Sequence, residues 1–379
     1  MVTAPGNTDD TLRMGPSRRR GTRWTVLACA AIVLAGGGFL AGRVLRPPAA
    51  PPAVTPAVTQ AVAPAAPALT AVPPAPPPSA FAIRTATEAE IAADVPDTLT
   101  MFRFAPNPHV IVLDFASLRE QGLMLNRVAA LVEKAGLPRD RVLNDAELND
   151  AIRRSGATVE TYYLGHDYSA AAIARFFALA DRDGVRLYPE EEKLRALAAD
   201  QGWLKPDAVG AVISVPRAGL DPIVDAAARA VILHHELSHG EYFTDPAYAG
   251  YVQRFWRNTL TDGDRAAFRD FLGREDYDTG VEDLVINEMQ AYLMHTRDPR
   301  FFNARALGLP ADRVALLQAL FLLNMPAGWL RDCTPAPSAA LPTPVRAPRR
   351  RRYRCGSVTN ATALPARRPP RRRKASIAA

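Results

Sequence analysis

The central part of the sequence, residues 81–332, predicts a helix-rich α+β fold. Short apolar segments that are typical of strands alternate there with longer segments whose apolar residues recur at helical spacing. No internal repeat is visible, and the proline-rich segments lie outside this part. The predicted strands are His109–Phe115, Val159–Leu164, Val185–Tyr188 and Ala211–Val215. The predicted helices are Leu123–Ala135, Asp145–Arg154, Ser169–Arg182 and Glu190–Gln201.

Composition divides the 379 residues into segments of different character. Residues 47–80 carry no charge and consist almost only of Pro, Ala, Val and Thr, so they cannot bury a core. We expect residues 43–80 to form a semi-rigid, partly polyproline II linker. Residues 333–379 are rich in proline and arginine and are expected to be disordered. The folded body is therefore residues 81–332, a usual size for one enzyme unit.

An apolar segment near the amino terminus predicts a membrane anchor. Residues 24–42 are nineteen residues without a charge, about the length that crosses a bilayer as a helix. More arginines precede than follow this segment, which places residues 1–23 in the cytoplasm. The prediction is a single-pass protein of the cell membrane whose body lies on the extracytoplasmic (periplasmic) side. A cleaved signal peptide, with a weak twin-arginine pattern at Ser17–Arg19, is the alternative and gives the body the same location.

Charge is distributed unevenly along the chain. Of the net charge of +7, residues 346–374 contribute +12 and residues 1–46 contribute +5, so the stretch between them carries −10. This is an acidic body with basic ends. We expect the basic tail to contact an anionic envelope polymer or lipid, or to be solvated without a dedicated partner. Nucleic acid is disfavoured because Tyr353 is the only aromatic residue of the tail available for stacking on bases.

The three cysteines do not have the spacing of a metal site. Cys29 falls inside the predicted membrane segment, which leaves Cys333 and Cys355. In an oxidising compartment these two would form a disulfide that ties the tail to the body. Two free thiols are the alternative.

The motif HELSH at residues 235–239 predicts a metal site. The segment from Asp221 and Pro222 to Gly240 reads as one helix, with Asp as its cap, Pro in the first turn and Gly at its end. Side chains four residues apart share one face of a helix, so His235 and His239 would bind one Zn²⁺ ion. Glu236 would act as the catalytic base on water bound to the metal. His234 points away from this face.

A catalytic zinc requires a third protein ligand, for which Glu288 is the best candidate. It lies on the predicted helix VEDLVINEMQAYLMHT among apolar neighbours, where a carboxylate is costly unless it binds a cation. A buried ion pair with Arg229 or Arg254 is one alternative. The other is that Asp245, six residues after His239, is the third ligand.

In these motifs the chain resembles the gluzincin group of zinc metallopeptidases. The resemblance rests on HELSH at 235–239 and NEMQAY at 287–292, and it covers about 75 of the 379 residues. It implies a zincin-like catalytic domain at 81–332, with His235, His239 and Glu288 as zinc ligands and Glu236 as base and proton shuttle. It also implies the hydrolysis of peptide or similar amide bonds. The chain departs from the family in its spacing of about 49 residues between motifs. It also has Ala291 and Tyr292 where an acidic residue is familiar, which leaves open what orients His235.

Four further residues are candidates for the donor that stabilises the transition-state oxyanion, or for support of the zinc ligands. Three of them, Tyr242, Tyr292 and His295, lie near the motifs in sequence, and His166 lies in the segment TYYLGHDY. Ordinary packing is the alternative for each.

Three hypotheses follow from the sequence. The first is a membrane-anchored zinc peptidase with a peptide or protein substrate. The second is a zincin-like module that binds an envelope partner without catalysis, which the anchor, linker and tail suit equally well. The third is a structural envelope protein that carries HExxH by accident.

Overall fold

A computed structural model of the chain describes residues 81–334. Its many helices and small mixed sheet confirm the predicted helix-rich α+β class. The strands are β1 Ile83–Ala86, β2 Thr100–Phe104, β3 Val110–Phe115, β4 His166–Ser169 and β5 Ala211–Pro216. The helices are α1 Glu88–Ala93, α2 Leu118–Val132, α3 Asp145–Ser155, α4 Ala170–Asp183, α5 Pro189–Asp200, α6 Ala226–Thr244, α7 Pro246–Asn258, α8 Asp262–Arg274, α9 Glu282–Gln290, α10 Ala304–Leu307, α11 Ala311–Asn324 and α12 Trp329–Cys333. A π-helical turn, Ala291–His295, continues α9 directly.

The sheet has the strand order β1-β2-β3-β5-β4. β1 is parallel to β2 and β3 is parallel to β5, whereas β2 runs antiparallel to β3 and β4 antiparallel to β5. Every residue of β3 and β5 is buried, as expected of central strands with nearly continuous apolar sequences. β4 is an edge strand, and it packs against α6.

The strand predictions were right for the two central strands and wrong elsewhere. Val159–Leu164 consists of turns and irregular chain, and the strand of that region begins at His166. Val185–Tyr188 is an irregular connection between α4 and α5 whose apolar side chains pack on the core. In both segments apolar residues are held by tertiary packing without a strand partner, so periodicity alone misassigned them.

The four predicted helices exist, with shifted ends. α3, α4 and α5 agree with the prediction to within a residue at each end. α2 begins at Leu118, five residues before the predicted start, because the Ser117 hydroxyl accepts a hydrogen bond from the Glu120 amide and caps the helix.

Both predicted ends of the motif-bearing helix α6 were wrong. Asp225 caps it by accepting from the Ala228 amide at 2.7 Å, whereas the Asp221 carboxylate accepts from the Ile223 amide in a preceding turn. Gly240 lies inside the helix, which continues to Thr244. An added Cβ at Gly240 would lie 2.9 Å from a methyl carbon of Val110. This glycine therefore permits close packing of α6 on β3.

The remaining predictions of domain organisation fall largely on other parts of the chain. Within residues 81–334, no helix combines the length and apolarity that a bilayer crossing requires. The predicted membrane segment at 24–42, the linker at 43–80, the tail beyond Thr334 and Cys355 lie outside the described residues.

Candidate metal centre

The two motif histidines of α6 converge at a buried point. Nε2 of His235 lies 3.1 Å from Nε2 of His239, and both side chains are at most 2% exposed. Two nitrogens bound to one tetrahedral zinc ion at 2.0–2.1 Å would be separated by about 3.3 Å. A proton on one of the two nitrogens, donated to the other, or a cation bound to both accounts for this short distance.

Glu288, on α9, completes a group of three ligand atoms. Its Oε2 lies 3.8 Å from Nε2 of His235 and 3.8 Å from Nε2 of His239. The three ligand atoms lie within 4.8 Å of one another, and Glu288 is 1% exposed. Among residues 81–334, its Oε2 has no hydrogen-bond partner. A buried carboxylate oxygen without a donor is costly, and a divalent cation would remove that cost, so the residues fit zinc.

Burial shifts the pKa values of the three candidate ligands, His235, His239 and Glu288. Burial, and then the charges of His239 and His234, hold the pKa of His235 well below its usual range, and burial lowers the pKa of His239 to about 4. Both imidazoles are therefore neutral at physiological pH and keep a lone pair for a metal. Burial, and then the charges of Glu133 and Glu236, raise the pKa of Glu288 well above its usual range. A hydrogen bond from the Tyr277 hydroxyl opposes this rise.

Thr296 orients His235. Its hydroxyl donates to the carbonyl of Ala291 at 3.0 Å, so its oxygen accepts the Nδ1 proton of His235 at 2.7 Å. The π-helical turn Ala291–His295 brings Thr296 into this position. Such turns are rare and are frequent at functional sites. With its proton fixed on Nδ1, His235 directs the Nε2 lone pair towards His239 and Glu288. Sequence reasoning missed Thr296.

Asp167, on the edge strand β4, faces the second histidine. Its Oδ1 lies 3.7 Å from Nδ1 of His239, and its side chain is 11% exposed. Ligand atoms of Asp167, Glu236 and His239 also lie within 4.8 Å of one another, so Asp167 borders the centre. It was missed because one residue of a four-residue strand carries no pattern of its own.

Glu236 lies against the backbone of Gly165. A Cβ added to Gly165 would lie 2.7 Å from Cδ of Glu236 and closer still to Oε1, so only glycine leaves the carboxylate its present place. Within residues 81–334, Oε2 of Glu236 has no hydrogen-bond partner. Burial, followed by the charge of Glu133, raises the pKa of Glu236 well above its usual range. A rise of the carboxyl pKa above its usual range favours uptake of a proton by Glu236.

Of the four other predicted site residues, Tyr292 alone touches the zinc-ligand group. Its ring packs edge-on against His235 with the ring centroids 4.9 Å apart. The Tyr242 hydroxyl donates to Oδ1 of Asp283 at 2.6 Å. His295 bonds to Nε2 of His234 and to the Tyr248 hydroxyl.

His166 turns away from the centre. Its Nδ1 lies 3.0 Å from the Ser214 hydroxyl, and its Nε2 lies 3.3 Å from Oδ1 of Asn126. Neighbouring side chains on a strand alternate between its faces, so Asp167 rather than His166 points at α6. Burial lowers the pKa of His166 to about 3, as in a packed neutral histidine.

Two alternatives to Glu288 as the third ligand were an ion pair of Glu288 with Arg229 and ligation by Asp245, and both of these residues have other contacts. Arg229 pairs with Asp114 at 2.7 Å and also donates to the carbonyl of Pro216. Asp245 caps α7 by accepting from the amide of Ala247 at 2.7 Å.

Comparison of the chain with protein-family models, with curated proteins and with solved structures found no match.

Proposed function

We propose that residues 81–334 form the catalytic domain of a zinc-dependent, zincin-like metallopeptidase of the gluzincin type. One observation carries the proposal: a buried carboxylate oxygen of Glu288 lies equally far, 3.8 Å, from the two facing imidazole nitrogens of an HExxH helix. Neutral histidines and a carboxylate are the ligand set of catalytic zinc sites that hydrolyse amides.

In this proposal His235, His239 and Glu288 hold the zinc ion. When bound, zinc supplies a Lewis acid for the carbonyl oxygen and lowers the pKa of a coordinated water. Glu236 accepts the proton of the attacking water and then gives it to the leaving amine. Thr296 holds His235 in the tautomer that presents its lone pair, and Asp167 faces the outer nitrogen of His239. The edge of the ring of Tyr292 confines His235 from the side.

An extended substrate would lie along the edge strand β4. Among residues 81–334 this strand pairs with β5 alone, so its other edge is the one to which a strand could be added. Gly165 immediately precedes β4 and borders Glu236. A peptide paired here would pass close to the proton acceptor.

The cellular placement is a proposal from the sequence. A membrane span at 24–42 and a linker at 43–80 would hold the domain on the extracytoplasmic side of the cell membrane. The basic tail would contact an anionic polymer or lipid of the envelope.

The test uses the full chain, zinc content by elemental analysis and hydrolysis of a broad library of quenched fluorescent peptides. We expect one zinc ion per chain and chelator-sensitive cleavage. Glu236→Gln should keep the zinc and lose at least about 100-fold in rate, since it removes general acid–base catalysis. Glu288→Ala should lose zinc while its circular dichroism stays native. Full activity in Glu236→Gln, or full zinc content in Glu288→Ala, would refute the assigned roles.

A second candidate, a non-catalytic binding module, is favoured by the burial of the site. His235, Glu236 and Glu288 are each at most 3% exposed, so little of the site is open to a substrate. This candidate predicts one tightly bound zinc that raises the melting temperature, without hydrolysis of any peptide. Chelator-sensitive cleavage would exclude it.

A further inference from the structure

Three carboxylates lie at the candidate metal centre without a basic partner. Glu236 and Glu288 are 3% and 1% exposed, and the side chain of Asp167 is 11% exposed. Within residues 81–334, no arginine or lysine forms a salt bridge with any of the three. One zinc ion carries two positive charges, so one of the three negative charges stays unbalanced. A proton or a second cation would neutralise it, and the positions of the donor atoms favour the cation.

Asp167, Glu236 and His239 form a second group of converging donor atoms. One donor atom of each lies within 4.8 Å of those of the other two, as in the first group of His235, His239 and Glu288. Oδ1 of Asp167 lies 3.7 Å from Nδ1 of His239, which is too far for a hydrogen bond. In the first group Glu288 keeps almost the same separation, 3.8 Å, from each histidine nitrogen. The donor spacing of the two groups is therefore alike.

The carboxylate of Glu236 supplies the observation that points to a ligand. Within residues 81–334, its Oε2 has no hydrogen-bond partner. Its Oε1 lies against Gly165, where an added Cβ would be 2.0 Å away. Packing rather than hydrogen bonding thus holds this carboxylate beside Asp167 and His239. A buried oxygen that lacks a donor in such a group indicates a position for a cation.

His239 can serve both groups because its two ring nitrogens face different partners. Its Nε2 faces His235 and Glu288, and its Nδ1 faces Asp167. Two carboxylates and one imidazole are ligands that zinc accepts.

The second position should bind more weakly than the first. It has one imidazole instead of two, and that imidazole also forms a hydrogen bond with Asn287, which a cation would have to replace. Two dications on one imidazole also repel each other.

We propose that Asp167, Glu236 and Nδ1 of His239 bind a second divalent cation, for which zinc is the probe, beside the first. The Nδ1 proton passes to solvent when this cation binds. The consequence for catalysis rests on the proposed peptidase function. Glu236 cannot accept a proton from water while its carboxylate holds a metal ion, so excess zinc inhibits hydrolysis through Asp167 and Glu236.

The test is a calorimetric titration of the metal-free full chain with zinc. We expect two binding events, the second at least about 100-fold weaker than the first because the two ions repel. Asp167→Asn should remove the second event and weaken the first by no more than about tenfold. Glu236→Gln should also remove the second event and keep the first. Elemental analysis after dialysis against excess zinc should give two zinc ions per chain for the wild type and one for each variant.

Two results would overturn the second site. One is a single binding event in the wild type, whichever variant removes it. The other is a second event that persists unchanged in Asp167→Asn or in Glu236→Gln, which would place that ion elsewhere on the chain.

The matched control is Asp245→Asn. Asp245 follows the helix that carries the motif and caps α7 by accepting from the Ala247 amide at 2.7 Å, a role that asparagine also fills. This variant loses the same charge as Asp167→Asn and leaves both groups of donor atoms intact, so both events should keep their wild-type affinities. Loss of the second event in the control would assign it to overall charge and overturn the proposal.

Hydrolysis is measured separately from binding. If the chain cleaves peptides, the zinc concentration that fills the second position should inhibit the wild type and leave Asp167→Asn uninhibited. Equal inhibition of the two proteins would overturn the regulatory role. If no peptide is cleaved, the proposed function fails, and the two binding events still decide whether the second site exists.

Discussion

The Thr296 hydroxyl lies 2.7 Å from Nδ1 of His235 and bonds at the same time to the carbonyl of Ala291. A single side chain thereby links the tautomer of a candidate metal ligand to the backbone of a π-helical turn. This contact supplies what the sequence left open, the group that orients His235 in the absence of an acidic residue at positions 291 and 292. A neutral hydroxyl, and not a charged side chain, therefore orients His235 in this chain.

The Thr296 contact predicts weaker zinc binding when the hydroxyl is removed. Thr296→Val keeps the shape of the side chain and loses the acceptor for His235. Zinc affinity should fall by about 10- to 100-fold, as for other groups that orient metal-bound histidines. Competition with a chromophoric chelator measures the affinity. Thr296→Ser is the control and should stay within a few-fold of the wild type, and equal affinity of the Val and Ser variants would contradict the assigned role.

Neighbouring residues of β4 allow a matched comparison. Asp167 faces His239 at 3.7 Å, and His166 faces the opposite side, towards Ser214. Asp167→Asn replaces the acidic group that lies 3.7 Å from Nδ1 of His239 with an amide, so zinc affinity should fall about tenfold. His166→Gln should lower the melting temperature without changing that affinity. The reverse pattern in the chelator assay would mean that the orientation of β4 is misassigned.

The sequence was sufficient for features that depend on local patterns. Capping residues and helical periodicity predicted the ends of α3, α4 and α5 to within one or two residues. Continuously apolar sequences predicted β3 and β5 with the same precision. The motif histidines and Glu288 could be grouped from sequence because helical spacing and an apolar helix face each restrict where a side chain points.

The supporting residues could not be found in this way. Gly165 and Thr296 act only through contacts made by the folded chain, with Glu236 and His235 respectively. His166 and Tyr242 were chosen for their residue type and their position in sequence. In the structure His166 contacts the Ser214 hydroxyl and faces away from the metal centre. The Tyr242 hydroxyl donates to Asp283. Tertiary packing decides which side chains of the short strand β4 face α6. It also decides where the π-helical turn Ala291–His295 forms, and neither is visible in the sequence.

Gly165 gives a prediction that separates catalysis from metal binding. A methyl group there would overlap the Glu236 carboxylate, which must move away from its present position. Gly165→Ala should therefore keep its zinc and lose about 100-fold in kcat, the order expected when a catalytic group is displaced by about 1 Å. Elemental analysis and steady-state kinetics on the full chain measure both quantities.

The control for Gly165 is Gly263→Ala in α8. An added Cβ there meets only the Thr261 hydroxyl at 3.7 Å, an ordinary contact, so activity should be unchanged. Wild-type kcat in Gly165→Ala would show that Glu236 does not need its present place. Loss of zinc in the same variant would instead assign the glycine to metal binding.

The raised pKa of Glu288 predicts that zinc binding depends on pH. In the metal-free protein this carboxyl holds its proton to a higher pH than usual, and zinc must displace that proton. Apparent affinity should therefore increase with pH, by about tenfold per unit for each proton released, until the pH exceeds the pKa of Glu288. His239, whose pKa is lowered to about 4, should add nothing above about pH 5, although an ordinary histidine would. Calorimetric zinc titrations in two buffers of different ionisation enthalpy count the released protons, and Glu288→Gln should release one fewer than the wild type. An affinity that decreases with pH, or an equal proton count in the two proteins, would remove Glu288 from the ligand set.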